Sequence, residues 1–133
     1  VLEETVEKIM ADNGVKVIVN AVNHEMGDYN RRLGLTYIYR NVGFEPLAAP
    51  PEKLSTAWRS AYRQILAAWE NNQPAIVSTH RLHYVAMNPK QKAEGFRQLE
   101  CLLDVVRRKH PEAVYKSSYE LARMYRILAD KKS

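Results

Sequence analysis

The chain has 133 residues, of which 46% are hydrophobic and 26% charged, and its formal net charge is +5. Those proportions suit one folded domain and exclude a largely disordered chain. The apolar runs, such as Val17-Ile18-Val19 and Ala75-Ile76-Val77, are far too short for a membrane-spanning helix.

The first residues, Val1-Leu2-Glu3-Glu4, are acidic and helix-like. They form neither a basic leader nor an apolar signal core, and the chain does not begin with Met, so the expectation is a truncated start. The spacing predicts a helix over 2–12 with Leu2, Val6, Ile9 and Met10 on its core face. Asn13-Gly14 ends it with a C-cap signal. The β-branched run over 15–19 predicts a short strand. Residues 20–34 are polar and turn-rich, and predict a loop. A second strand is predicted over 35–39, then an irregular segment through Arg40-Asn41-Val42-Gly43-Phe44-Glu45-Pro46.

Pro50-Pro51 opens a long helix, since proline is tolerated in a first turn. Its buried stripe is Leu54, Trp58, Ala61, Ile65 and Trp69. Asn71-Asn72-Gln73-Pro74 stops it. A third strand is predicted over 75–79, apolar at its start as a strand covered on both faces should be. Asn88-Pro89-Lys90-Gln91 predicts the next helix start, with Phe96, Leu99, Leu103 and Val106 as its core face to about residue 109. A fourth strand is predicted from Ala113 to Lys116. Ser117-Ser118-Tyr119-Glu120 is a capping box for a last helix, with Leu121, Met124 and Leu128 turned inward.

This alternation predicts an α/β fold of mostly parallel strands and helices, a single domain over 1–133. Four strands do not close a barrel, for which about 250 residues are typical. The chain is therefore expected to be either a small open α/β domain or part of a larger one. The basic residues are mostly interspersed with acids. Only Arg107-Arg108-Lys109 and Lys131-Lys132 cluster, at predicted helix ends where cations suit the macrodipole, so no nucleic-acid partner is expected. The single cysteine, Cys101, lies in a predicted helix and is expected to pack.

Ligands of parallel α/β folds bind beyond the carboxyl ends of the strands. By that rule the strand over 75–79 delivers His80, Arg81, His83 and Tyr84, and the strand over 35–39 delivers Arg40, Asn41 and Glu45. His80 follows its strand directly, and an imidazole exchanges protons near neutral pH. Arg40 is a fixed cation suited to an oxyanion, or to an ion pair with Glu45. Glu45 can orient His80 or Arg40, or be a solvated turn residue. Tyr29, Tyr37, Tyr39, Phe44 and Tyr84 can stack on sugar rings, although strand aromatics usually pack in a core. His80 and His83 lie three apart and His24-Glu25 is a second pair, but no helix carries His-x-x-x-His. No complete metal site is expected within the chain.

The stretch Gln73-Pro74-Ala75-Ile76-Val77-Ser78-Thr79-His80-Arg81-Leu82-His83-Tyr84-Val85 resembles the last catalytic-strand segment of the polysaccharide deacetylase-like family, of NodB type. The segments Tyr37 to Pro46 and Ala113 to Leu121 are similar to further family segments in the same order. The resemblance implies the C-terminal part of a distorted (β/α) barrel, an incomplete fragment of a larger hydrolase acting on acetylated polysaccharide or oligosaccharide. It implies a bacterial source, and export if a signal precedes the chain. It also implies a divalent metal in the full-length protein, held by an early Asp and a His-x-x-x-His pair that this sequence lacks. His80 matches the family's late histidine, the general acid, and Arg40 loosely matches a substrate- or base-orienting position. The surrounding Ser78-Thr79-His80-Arg81 departs from the usual Leu-x-His. The implied alternative is a non-catalytic glycan-binding or interaction module on the same fold, with Arg40, Asn41, Glu45, Arg81, His83 and Tyr84 facing the sugar.

Overall fold

The computed structural model describes residues 4–20, 24–47, 56–85 and 88–132. In chain order the elements are α1 (Glu4–Asp12), β1 (Val17–Val19), β2 (Tyr29–Asn30), β3 (Leu35–Ile38), β4 (Val42–Gly43), α2 (Ala57–Glu70), β5 (Val77–Ser78), a 3-10 turn (Arg81–His83), α3 (Pro89–Lys109) and α4 (Ser118–Lys131). The protein is thus α/β, and it divides into two compact units, residues 1–39 with 114–133, and residues 40–113. No helix among the described residues is long and apolar enough to cross a membrane.

In the first unit the strand order is β1-β3-β2. β1 runs parallel to β3 with Ile18 opposite Tyr37, and β2 runs antiparallel with Tyr29 opposite Thr36. The loop expected over 20–34 therefore contains a strand. Its turn back into β3 uses Gly34 at φ +70°, where a glycine carries no side-chain penalty. The Gly34 N–H donates to the Asn30 carbonyl at 2.8 Å. All of β3 is buried, and Ile18, Leu35 and Tyr37 form a core with Met10, Ala11, Val15 and Leu33.

Two helix faces in this unit differ from expectation. In α1, Val6 and Ile9 are exposed while Glu7 is buried. The cause is polar: the Tyr37 hydroxyl donates to Glu7 Oε2 at 3.1 Å and fixes the rotation of the helix. Burial pushes the Tyr37 phenol above its ordinary pKa. In α4, Met124 and Leu128 are exposed and Ala122 is the innermost residue. Small residues allow the close approach, for a Cβ on Gly27 would lie 2.3 Å from the Tyr125 ring. The capping box of α4 forms as expected, with the Ser117 hydroxyl accepting from Glu120 N–H and the Glu120 carboxylate accepting from Ser117 N–H.

In the second unit β4 and β5 pair in parallel, Val42 opposite Val77 and Gly43 opposite Ser78, with α2 as the crossover. The third expected strand is thus shorter than 75–79, and β4 occupies a segment expected to be irregular. The core joins Val42 and Phe44 to Ala61 and Ile65 of α2 and to Leu102, Val105 and Val106 of α3. Trp58 and Trp69 pack against it, as the stripe on α2 predicts; Leu54 and the Pro50-Pro51 start lie outside the described residues. α3 starts as expected, with the Asn88 side chain accepting from Lys90 N–H and Pro89 in the first turn.

The face of α3 is displaced from the expected one. Phe96 and Leu103 are exposed, while Gly95 and Gln98 are buried. Gly95 lies against the turn, where an added Cβ would sit 2.0 Å from the His83 carbonyl oxygen. Gln98 is fully buried. Its Oε1 accepts the Trp58 N–H, an otherwise orphaned donor in the first turn of α2, and its Nε2 donates to Glu94. The strand expected from Ala113 to Lys116 does not form; Val114 and Tyr115 are 74% and 71% exposed, and no ladder partner faces them. The expected mostly parallel sheet is two small ones among the described residues, the first of them mixed.

Candidate functional site

Parallel pairing sets the site. Because β4 and β5 run side by side in register, the residues just past their ends emerge together. Phe44 N–H donates to the Ser78 carbonyl at 2.8 Å and closes the ladder. The next residues out are Glu45 and His80, and His80 Nδ1 lies 2.6 Å from Glu45 Oε1. Both side chains are open to solvent, at 61% for His80 and 46% for Glu45. Of the two orientations the sequence allows for Glu45, the structure thus has the carboxylate on His80.

The segment carrying Glu45 is fixed from behind. Pro46 is fully buried, and the Leu47 N–H donates to His83 Nδ1 at 3.1 Å. His83 is itself buried on the 3-10 turn. That turn begins at His80, whose carbonyl accepts the His83 N–H. Thr79 Oγ1 and the Tyr84 hydroxyl, 2.7 Å apart, bridge its ends. The Tyr84 ring packs against Phe96 and the unit's core. His83 and Tyr84, expected to face a substrate, therefore serve chiefly to hold the loop in place. Arg81 is exposed beside Leu82, which is 75% exposed.

Arg40 and Asn41 stand at the other end of the ladder. They precede β4, whereas Glu45 and His80 follow the two strands. Asn41 is engaged through both atoms of its amide, donating to the Pro74 carbonyl at 2.8 Å and accepting from Ile76 N–H at 2.7 Å. It guides β5 into register. Of the aromatic residues, Tyr37 and Phe44 are buried in cores. His24 stacks on the Tyr37 ring at 3.5 Å and lies 3.7 Å from Asp28. Cys101 is half-buried in α3, near the Arg97 guanidinium.

The chemistry of the pair follows from its bond. A carboxylate at Nδ1 fixes the imidazole tautomer and leaves Nε2 on the opposite side of the ring. That nitrogen can give or take a proton in a hydrogen-bonded partner. Glu45, His80 and His83 can also face one ion, since a ligand atom of each lies within 4.8 Å of the others. Part of their hydrogen-bonding capacity is already in use. His83 Nδ1 accepts Leu47 N–H, so its neutral ring carries a proton on Nε2, and His80 and Glu45 are bonded to each other. An ion on these residues would need His83 to give up its bond from Leu47 or its ring proton, whereas His80 Nε2 is open with the carboxylate bond intact, so the same three residues suit a proton-handling pair and also a cation.

Sequence reasoning missed the Leu47 N–H, which has no side-chain signature, and Gly95, whose small size admits the turn. Comparison with protein-family models, curated proteins and solved structures finds no match for this chain.

Proposed function

We propose that this chain is the C-terminal part of a carbohydrate-active hydrolase of the polysaccharide deacetylase type, in which His80 protonates the leaving group. The observation that carries the reading is the 2.6 Å contact between His80 Nδ1 and Glu45 Oε1 at the carboxyl end of a parallel strand pair. The β4–α2–β5 unit is also the building block of a (β/α) barrel, which supports that architecture for the longer protein. The divalent metal implied by the resemblance has its ligands in segments with no counterpart in this sequence.

In removal of an acetyl group, water adds to the acyl carbon and the bond from that carbon to the glycan nitrogen or oxygen breaks. Protonated on both nitrogens, the His80 ring delivers its Nε2 proton to the departing atom, acetate leaves, and the proton given up by the water restores the ring. Glu45 keeps Nδ1 protonated and the ring aimed. The protein expressed from its complete reading frame should release acetate from acetylated oligosaccharides. His80→Ala should lower turnover by about 10²–10⁴-fold while leaving oligosaccharide binding nearly unchanged. Full turnover by the variant would refute the assignment.

The second reading is a glycan-binding module. The exposure of Arg81 and Leu82 on the same turn as His80 favours it. Wild-type protein that binds oligosaccharide and releases no acetate would select it.

A further inference from the structure

The first unit carries a separate cluster that the proposed hydrolysis does not use. Lys16 precedes β1, and Arg123 and Arg126 lie one turn apart on α4. All three residues line one cavity of about 100 Å³, together with Thr36, Tyr119 and Gly34. No Asp or Glu lines it. The other arginines of this unit are paired, Arg31 with Asp130 and Arg32 with Glu4. None of the ion pairs among the described residues engages Lys16, Arg123 or Arg126.

Three cations around one hollow repel one another, and that repulsion is relieved by an anion held among them. A single carboxylate would offset one charge, whereas a dianion offsets two. Size narrows the class further. Pockets for drug-sized ligands run to about 300–1,000 Å³, and this one is far smaller. At roughly 30 Å³ per water it has the room of a few waters, which suits one tetrahedral oxyanion. Arginine forks, a lysine ammonium and the hydroxyl-bearing residues Thr36 and Tyr119 are the donors such a group takes. We infer that this cavity binds a phosphate or sulfate group.

Calorimetric titration of the whole chain with inorganic sulfate and with inorganic phosphate, at constant ionic strength set by chloride, tests this. Saturable one-to-one binding is expected. Arg123→Gln with Arg126→Gln should weaken it at least tenfold. Arg59→Gln with Arg63→Gln, exposed positions of the second unit, removes the same net charge and should leave binding within twofold. Lys16→Gln provides a single change should the double variant fold poorly, and it too should weaken binding. The tighter of the two anions identifies the source as a phosphorylated or a sulfated ligand. Binding that does not saturate, or that falls equally in both double variants, would overturn the inference, since charge screening alone would then explain it.

Discussion

The two units use polar residues in opposite ways. In residues 40–113, a histidine and a carboxylate of opposite tendency meet at 2.6 Å, and buried Pro46 and His83 hold them in place. In the unit formed by residues 1–39 and 114–133, like charges gather around a hollow without any acid. In the first arrangement the two groups satisfy one another by a hydrogen bond. The second is incomplete by itself and calls for a ligand. The contrast is between directional hydrogen bonding in one unit and unbalanced charge in the other.

The largest effect is expected from disturbing what holds the histidine turn. Gly95→Ala places a methyl where the His83 carbonyl now lies, 2.0 Å away, and neither backbone can give cheaply. Overpacking of this kind costs about 1–3 kcal/mol, so the thermal midpoint should fall. Acetate release should fall with it, while anion binding at Lys16 should stay within twofold. A variant as stable as wild type would mean that α3 does not pack on the turn as described.

A smaller effect is expected from acid. Hydrogen bonds from Arg97 and Gln98 lower the Glu94 pKa from 4.5 to about 2. A depressed carboxyl binds fewer protons folded than unfolded, so it stabilises the fold above the unfolded value. That contribution is whole above pH 4.5 and is lost as pH falls toward about 2. The urea midpoint should therefore decline across this window, and Glu94→Gln should flatten part of the decline. Glu94 is partly exposed, which keeps the effect modest. An unchanged slope in the variant would count against the Glu94–Gln98–Trp58 chain as a brace for the second unit.

How far the sequence revealed this is clear from particular residues. Helices with local signals were legible: Asn88-Pro89 opens α3, Ser117 and Glu120 cap α4, and the tryptophan stripe marks α2. Which face turns inward was legible only where apolar spacing decides it. In α1 and α3 polar bonds through Glu7 and Gln98 set the rotation, and in α4 the small Ala122 did, so Val6, Phe96 and Met124 lie outward. Two-residue strands such as β2 and β4 carry too few residues for any alternation to be seen. His80 was legible because it follows its strand; Glu45 was assigned to the end of the strand over 35–39, whereas it follows β4, in a segment expected to be irregular. Their partnership depends on a register between segments 35 residues apart, Val42 with Val77, which one sequence does not encode locally. His83 misled because a 3-10 turn folds its third residue inward and leaves the apolar Leu82 in solvent.

The proton on His80 is the most direct point of attack. Nitrogen-15 correlation spectra of the imidazole ring at alkaline pH should give the pattern of a ring protonated at Nδ1, and Glu45→Gln should shift that pattern. A ring protonated at Nε2 in the wild type, unchanged in the variant, would contradict the carboxylate–imidazole pair on which the proposed activity stands.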